Sequence, residues 1–297
     1  MNPPKKIAAL HDLSCLGRCA LTVIIPTLSV MGYQVIPVPT ALLSTHTGGY
    51  TDLHFCDLTD DMGQIAAHFG RMDTRFDSIY TGFLGSTRQI RTVERFLEDF
   101  GTQRDGKKPL ILIDPVMGED GELYSTYTEE LAEGIRHLCK YADVITPNLT
   151  EACFLTRFPY RNTKEMSETD ARAYANELMD RLTQTYPCRI AITGIRLSDG
   201  GVANLCADKG GARFFSQQPE CGHSYPGTGD VFASVLLGKL LGGEPFHLAV
   251  DAAADFVARL IRATVPLPTA TREGVALEPE LWRLIPKNAD KTQKGDS

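Results

Sequence analysis

"PLILIDP", residues 109–115, decides the fold. Leu110, Ile111, Leu112 and Ile113 form an unbroken apolar run, leaving no polar face for water, so the segment reads as a strand covered on both sides. A proline precedes the run and an Asp-Pro pair stops it. Short apolar runs of the same kind recur at residues 6–10 (KIAAL), 33–40 (YQVIPVPT), 78–83 (SIYTGF), 143–148 (DVITPN) and 188–194 (CRIAITG). Between them, residues 87–100, 128–140 and 169–186 have the pattern of amphipathic helices. Doubly covered strands joined by helical crossovers predict an α/β fold, a doubly wound and mostly parallel sheet flanked by helices.

Late in the chain the pattern changes. Residues 200–217 (GGVANLCADKGGARFFSQ) read as two strands around a Gly-Gly turn, an antiparallel hairpin at the end of the sheet. Val231, Phe232, Val235, Leu236, Leu240 and Leu241 then give a helix with a broad apolar face, stopped by Gly242, Gly243 and Pro245. A last long helix is expected over residues 245–263, and Pro26 is expected to kink a helix within the apolar segment 21–31. Neither a linker, a composition shift nor an internal repeat divides the chain, so a single domain over residues 1–286 is expected, followed by a polar, solvated tail at 287–297.

Of the 297 residues, 43% are hydrophobic and 23% charged, which is ordinary for a soluble globular protein. A net charge of −7 argues against nucleic acid or an anionic membrane as partner, while leaving room for a local anion pocket. The apolar runs fall short of a membrane span, and the N-terminus lacks a signal-peptide core, so a cytoplasmic protein is expected. The 8 cysteines contain no Cys-x-x-Cys pair and mostly sit in apolar segments, so they read as free buried thiols.

In an open parallel sheet, ligands bind beyond the carboxyl ends of the strands. Those ends carry HDLSCLGR (11–18), ALLSTHTGGY (41–50), TGFLGS (81–86), DPVMGEDGELY (114–124), TPNLTEA (146–152) and TGIRLSDG (193–200), loops rich in Gly, Ser, Thr, Asn and carboxylates. GTGD, Gly227 to Asp230, opens the apolar helix. A helix N-terminus offers unpaired amides and the positive end of the dipole, and glycines let an anion approach closely. Asp230 beside such a place either accepts the proton of an attacking alcohol or merely complements the dipole. Asn148 and Glu151, with Asp114 at a neighbouring strand end, suit Mg²⁺; Glu151 also fits as an ordinary first-turn carboxylate.

TPNLTEA resembles the Asn-x-x-Glu motif of the ribokinase superfamily, and GTGD resembles its anion hole and catalytic base. With STHTG (44–48) and DPVMG, the chain is similar to the vitamin B6 branch of that superfamily, the pyridoxal/pyridoxamine kinases. The resemblance runs from Lys6 to about Ala263, with the motifs in the family's order. It implies a ribokinase-like fold and ATP-dependent phosphorylation of the 5′-hydroxyl of a B6 vitamer. Asp230 would be the base, and Gly227, Thr228 and Gly229 would hold the moving phosphoryl group. Asn148 and Glu151 would position hydrated Mg²⁺; Asp114, Thr146, Thr193, Tyr124 and Gly229 would lie along ATP; His46, Thr47, Phe83 and Asp12 would line the vitamin pocket. K⁺ and a homodimer are implied as well.

The chain departs from the family in three places. HDL replaces QSH after the first strand, bringing Asp12 to the pocket, either against the substrate's ring nitrogen or hydroxyl or as a cap of the next turn. His11, in place of Gln, reads as structural, and Phe83 in place of Tyr keeps stacking but loses a hydroxyl. The nearest rival is hydroxymethylpyrimidine kinase of thiamine synthesis, whose members often carry Gly-Thr-Gly-Cys instead. A non-catalytic vitamin carrier is a second rival, set against a chain that keeps both a base and a metal-positioning carboxylate. No G-x-G-x-x-G follows the first strand, which removes a nicotinamide-binding reading.

Overall fold

The computed structural model describes residues 3–102, 106–124, 127–219, 224–269 and 271–286. In chain order it contains β1 (Lys6–Leu10), β2 (Leu13–Leu16), α1 (Leu21–Val30), β3 (Gln34–Pro37), β4 (Ala41–Thr45), β5 (Phe55–Asp57), α2 (Thr59–Arg71), β6 (Ser78–Thr81), α3 (Thr87–Phe100) and β7 (Leu110–Ile113). There follow β8 (Gly118–Glu119), β9 (Glu122–Leu123), α4 (Glu129–Leu138), β10 (Val144–Ile145), α5 (Leu149–Thr156), α6 (Glu168–Thr185), β11 (Arg189–Arg196), β12 (Val202–Ala207), β13 (Arg213–Gln218), α7 (Thr228–Leu241) and α8 (Phe246–Thr264).

The main sheet runs β13-β12-β11-β10-β7-β6-β1-β3. It is parallel from β3 to β11 and antiparallel only where β12 and β13 form the late hairpin. Successive strand residues point to opposite faces, and both faces are buried. In β1, Ala8 and Leu10 join the apolar layer under α2 to α6, while Ile7 and Ala9 join the layer under α1, α7 and α8. In β7, Ile111 and Ile113 face the first layer and Leu112 the second. The unbroken LILI run is therefore explained by helices on both sides.

Local signals set the helix starts. Ser86 Oγ accepts from Gln89 N at the start of α3, and Thr128 Oγ1 accepts from Leu131 N at the start of α4. α1 carries Pro26 within it. The small sheet β2-β4-β5 was not foreseen. Its strands are short, and Leu16, Leu42 and Phe55 are exposed, so apolar residues fall on exposed as well as buried positions and no polar/apolar alternation marks the burial pattern. The tail at 287–297 lies outside the described residues. The described cysteines are all free. No described helix is long and apolar enough to cross a membrane.

Candidate active site

β10 and β7 are neighbours in the parallel sheet and β6 separates β7 from β1; the carboxyl ends of β1, β7 and β10 deliver Asp12, Asp114 and Thr146 to one edge of the sheet. Thr146 Oγ1 donates to Asp114 Oδ1 at 3.0 Å, and both side chains are buried. α7 points its N-terminus at this edge. Its N-cap is Gly227, at φ 78°, with no side chain to satisfy the first-turn amides. A β-carbon on Gly227 would lie 2.1 Å from the Arg18 carbonyl oxygen, so only glycine fits both the backbone and the space. Gly229 differs: its β-carbon position faces open space, with Asp114 Oδ2 at 4.0 Å the nearest atom. Thr228 turns its hydroxyl back to the Tyr225 carbonyl.

Asp230 stands in the first turn of α7 and accepts at Oδ2 from the Ala20 amide at 2.8 Å. Burial pushes its pKa up to about 8; Asp114 and Asp12 push the same way, and the Ala20 amide opposes them. Burial also raises Asp114 to about 7, against the pull of the Thr146 hydroxyl. Asp12 is raised by burial despite accepting from Ser14 Oγ at 2.8 Å.

Asn148 and Glu151 close a capping box at the start of α5. Glu151 Oε2 accepts from Asn148 N at 2.8 Å, Asn148 Oδ1 accepts from Glu151 N at 2.9 Å, and Glu151 Oε1 accepts from Met117 N at 3.1 Å. Asn148 Nδ2 donates to the Gly118 carbonyl at 2.9 Å. Burial, and then the charge of Asp114, hold the Glu151 carboxyl well above its ordinary range. Two buried carboxyls, one of which helps hold the other in its neutral form, are groups whose charge a divalent cation would favour. Among the described residues no cluster of three or more His, Cys, Asp or Glu forms a ready cage. Mg²⁺, which keeps several waters and binds through few carboxylates, fits such a wall.

A cavity of about 720 Å³ joins these elements. It takes in Asp114, Thr146, Asn148, Glu151, Thr193 and the whole Gly227–Asp230 turn, and Tyr124 stands at its wall. Thr193 reaches it through a parallel bridge to Asn148, where a register shift in β11 re-aims the strand. Sequence reading missed the far wall, formed by Ala254, Val257, Ala258 and Ile261 of α8. These repeat at i, i+3, i+4 and i+7, a spacing that a core-facing stripe shares.

Asp12, His46, Thr47 and Phe83 do not line that cavity. Asp12 is nevertheless near enough to Asp230, which does line the cavity, to raise its pKa. Thr47 and Phe83 are half-buried, and the Phe83 ring meets Tyr127 edge-on with centroids 6.0 Å apart. His46 is buried with both ring nitrogens engaged: Nδ1 accepts from Gly48 N at 3.1 Å, and Nε2 lies 2.6 Å from the Arg272 carbonyl. It ties the end of β4 to the segment at 271–273. His11 is wholly buried, edge-on to Tyr80 at 4.3 Å, and burial pushes its pKa down to about 3, so it is a neutral packing residue.

Comparison with known proteins adds the following. A family model described as phosphomethylpyrimidine kinase matches residues 23–273. A Bacteroides thetaiotaomicron protein, described as a phosphomethylpyrimidine kinase and solved with pyridoxal, is 42% identical with a TM-score of 0.85, over 95% of this chain and 96% of that one. Pyridoxal kinase from Lactobacillus plantarum is 30% identical with a TM-score of 0.84, over 95% and 96%. Pyridoxal kinase from Leishmania donovani, in complex with ADP and pyridoxamine, is 25% identical with a TM-score of 0.78, over 94% and 95%.

Proposed function

The chain belongs to the phosphomethylpyrimidine kinase family, and from that premise we propose that it transfers the γ-phosphoryl group of ATP to the 5′-hydroxyl of a vitamin B6 vitamer. The observation that carries the reading is the α7 N-terminus: a glycine caps it, its first turn lines the cavity, and a carboxylate, Asp230, stands in that turn within electrostatic reach of Asp12. In the reaction the substrate oxygen bonds to the γ-phosphorus while the bond to the β-phosphate oxygen breaks. Asp230 takes the hydroxyl proton, and the product leaves with ADP. The amides at Gly227, Thr228 and Gly229 stabilise the charge on the phosphoryl oxygens in flight.

Asp114, Thr146, Thr193 and Tyr124 lie where the phosphate chain would run, and the α8 wall of Ala254, Val257 and Ile261 offers an apolar shelf for the nucleotide base. Asn148 and Glu151 would hold Mg²⁺ through its waters, since their own oxygens already accept backbone amides. Bound there, the ion supplies neutralisation of phosphate charge. Asp12, Thr47 and Phe83 form the vitamin side, and His46 shapes it through the Arg272 carbonyl. A single domain in a cytoplasmic homodimer, with K⁺ as a second cation, completes the reading.

The resemblance to a relative solved with pyridoxal favours the B6 branch, while the family's description keeps hydroxymethylpyrimidine as the competing substrate. ATP consumption measured side by side with pyridoxal, pyridoxine, pyridoxamine and hydroxymethylpyrimidine decides between them. Turnover of at least one B6 vitamer is expected. Efficient turnover of hydroxymethylpyrimidine alone would replace the reading with the thiamine branch.

A further inference from the structure

We infer that the loop Arg18, Cys19 and Ala20 orients the Asp230 carboxylate, and that the late segment around Gly274 holds this loop in place. The inference rests on the reading of Asp230 as the base. Three observations meet at the loop. Ala20 donates its amide to Asp230 Oδ2 at 2.8 Å. Ala20 does so from φ 48° and ψ −133°, a conformation that residues with a β-carbon rarely adopt. Strain of this kind persists only where the surroundings over-determine it.

The surroundings are two glycines. A β-carbon on Gly227 would meet the Arg18 carbonyl oxygen at 2.1 Å and Cys19 Cα at 3.0 Å. A β-carbon on Gly274 would meet the same carbonyl at 2.6 Å and the Pro226 carbonyl at 3.1 Å. The Arg18 peptide is thus pressed between the N-cap of α7 and a segment far along the chain. That segment also binds the loop directly: Arg18 N donates to the Glu273 carbonyl at 2.9 Å, and Arg18 Nε meets Glu278 Oε1 at 3.0 Å. The segment itself is fixed by buried Val275, Ala276 and Leu277, with Ala276 N donating to Thr264 Oγ1 at 2.8 Å at the end of α8. With Oδ2 fixed by a backbone amide, the carboxylate presents Oδ1 to the substrate hydroxyl.

The amide also sets the charge state of the base. The titratable groups facing Asp230 are Asp12 at the end of β1, Tyr80 on β6, Asp114 at the end of β7, Tyr124 after β9 and Cys19 in the loop. Each is an acid, so the Ala20 amide is the donor that favours the carboxylate. Loosening the loop weakens that donor and moves the base to higher pKa.

The test is the pH profile of turnover for Gly274→Ala and Ala20→Val, beside wild type, Asp230→Asn and the control Gly243→Ala. Gly243 has φ 88° and open space at its β-carbon position, so Gly243→Ala carries the backbone strain of Gly274→Ala without the contact to the loop. For both loop variants the acid limb should move up by about one pH unit, and turnover at pH 7 should fall about tenfold. Equilibrium ATP binding should hold, and Gly243→Ala should keep the wild-type limb. If Gly274→Ala does not fold, Ala20→Val decides. A folded, ATP-binding loop variant with the wild-type limb overturns the orienting role, even if Asp230→Asn is inactive. Wild-type turnover in Asp230→Asn would instead remove the base, and the inference with it.

Discussion

Asn148 and Glu151 hold each other: each side chain accepts the other's backbone amide, at 2.9 and 2.8 Å. The second oxygen of Glu151 accepts from Met117 N and the Asn148 amide group donates to Gly118, so the pair ties the start of α5 to the turn after β7. The residues proposed to hold the metal are therefore also the residues that shape the cavity wall. A substitution there changes fold and metal binding together, and a useful experiment separates them.

Glu151→Gln puts an amide NH₂ where one of two backbone donors now finds an oxygen. Leaving one buried donor unsatisfied costs about 1–3 kcal/mol, so the melting temperature should fall by several degrees. If Glu151 also positions Mg²⁺, the Mg²⁺ concentration for half-maximal rate should rise. A lower melting temperature with an unchanged Mg²⁺ titration would leave Glu151 as a cap alone.

Gly227 and Gly229 should respond in opposite ways to alanine. Gly227→Ala forces a left-handed backbone and a 2.1 Å contact with the Arg18 carbonyl. The backbone alone costs about 1–2 kcal/mol, and unfolding should occur at a clearly lower temperature. Gly229→Ala meets nothing closer than 4.0 Å and removes a glycine from a helix, which stabilises by about 0.5–1 kcal/mol. Its methyl group, however, stands where the phosphoryl group is proposed to bind. The expected variant melts no lower than wild type and has lost most of its turnover; full turnover in Gly229→Ala would remove the cradle from Gly229.

The pH dependence has a definite sign. As the proposed base, Asp230 would act only when deprotonated, and burial raises it to about 8, so turnover should climb as pH rises through neutrality toward about 8. Stability should move the other way. A carboxyl whose folded pKa lies above its unfolded value binds more protons in the folded state, so folding weakens as pH rises from the unfolded value, near 4, to the folded one. Asp230 and Asp114, at about 8 and 7, both contribute in that window. Thermal melts of the ligand-free protein from pH 5 to 8 should show the decline, and Asp230→Asn should make it shallower, leaving the part that Asp114 contributes. The same slope in wild type and mutant would contradict the raised value of Asp230.

The sheet was legible because doubly covered strands leave no polar face; Leu110 to Ile113 could only be interior. The α7 start was legible because two glycines and an aspartate exceed what a simple cap needs. The partners of His46 were not legible: the resemblance implies a place at the vitamin pocket, and the structure adds that its nitrogens close on Gly48 and on Arg272, far along the chain, a partner no local pattern announces. Ala20 was invisible for a different reason: it acts through its backbone amide, and an alanine carries no trace of a φ of 48°.

Asp230→Asn tests the base most directly. Asparagine keeps the shape and retains an oxygen that can accept the Ala20 amide, so the loop at residues 18–20 should stay in place. It removes the proton acceptor, and general-base catalysis contributes about 10²–10⁴-fold, so turnover should fall by that factor. Vitamin affinity should change little, because Asp12, Thr47 and Phe83, proposed as the vitamin side, are untouched. ATP affinity should hold or rise, because a carboxylate beside Asp114 and the phosphates has been neutralised. Turnover and equilibrium binding of both ligands are the measurements. Near-normal turnover would remove Asp230 from the chemistry, and lost turnover with lost binding would make it a structural residue of the α7 start.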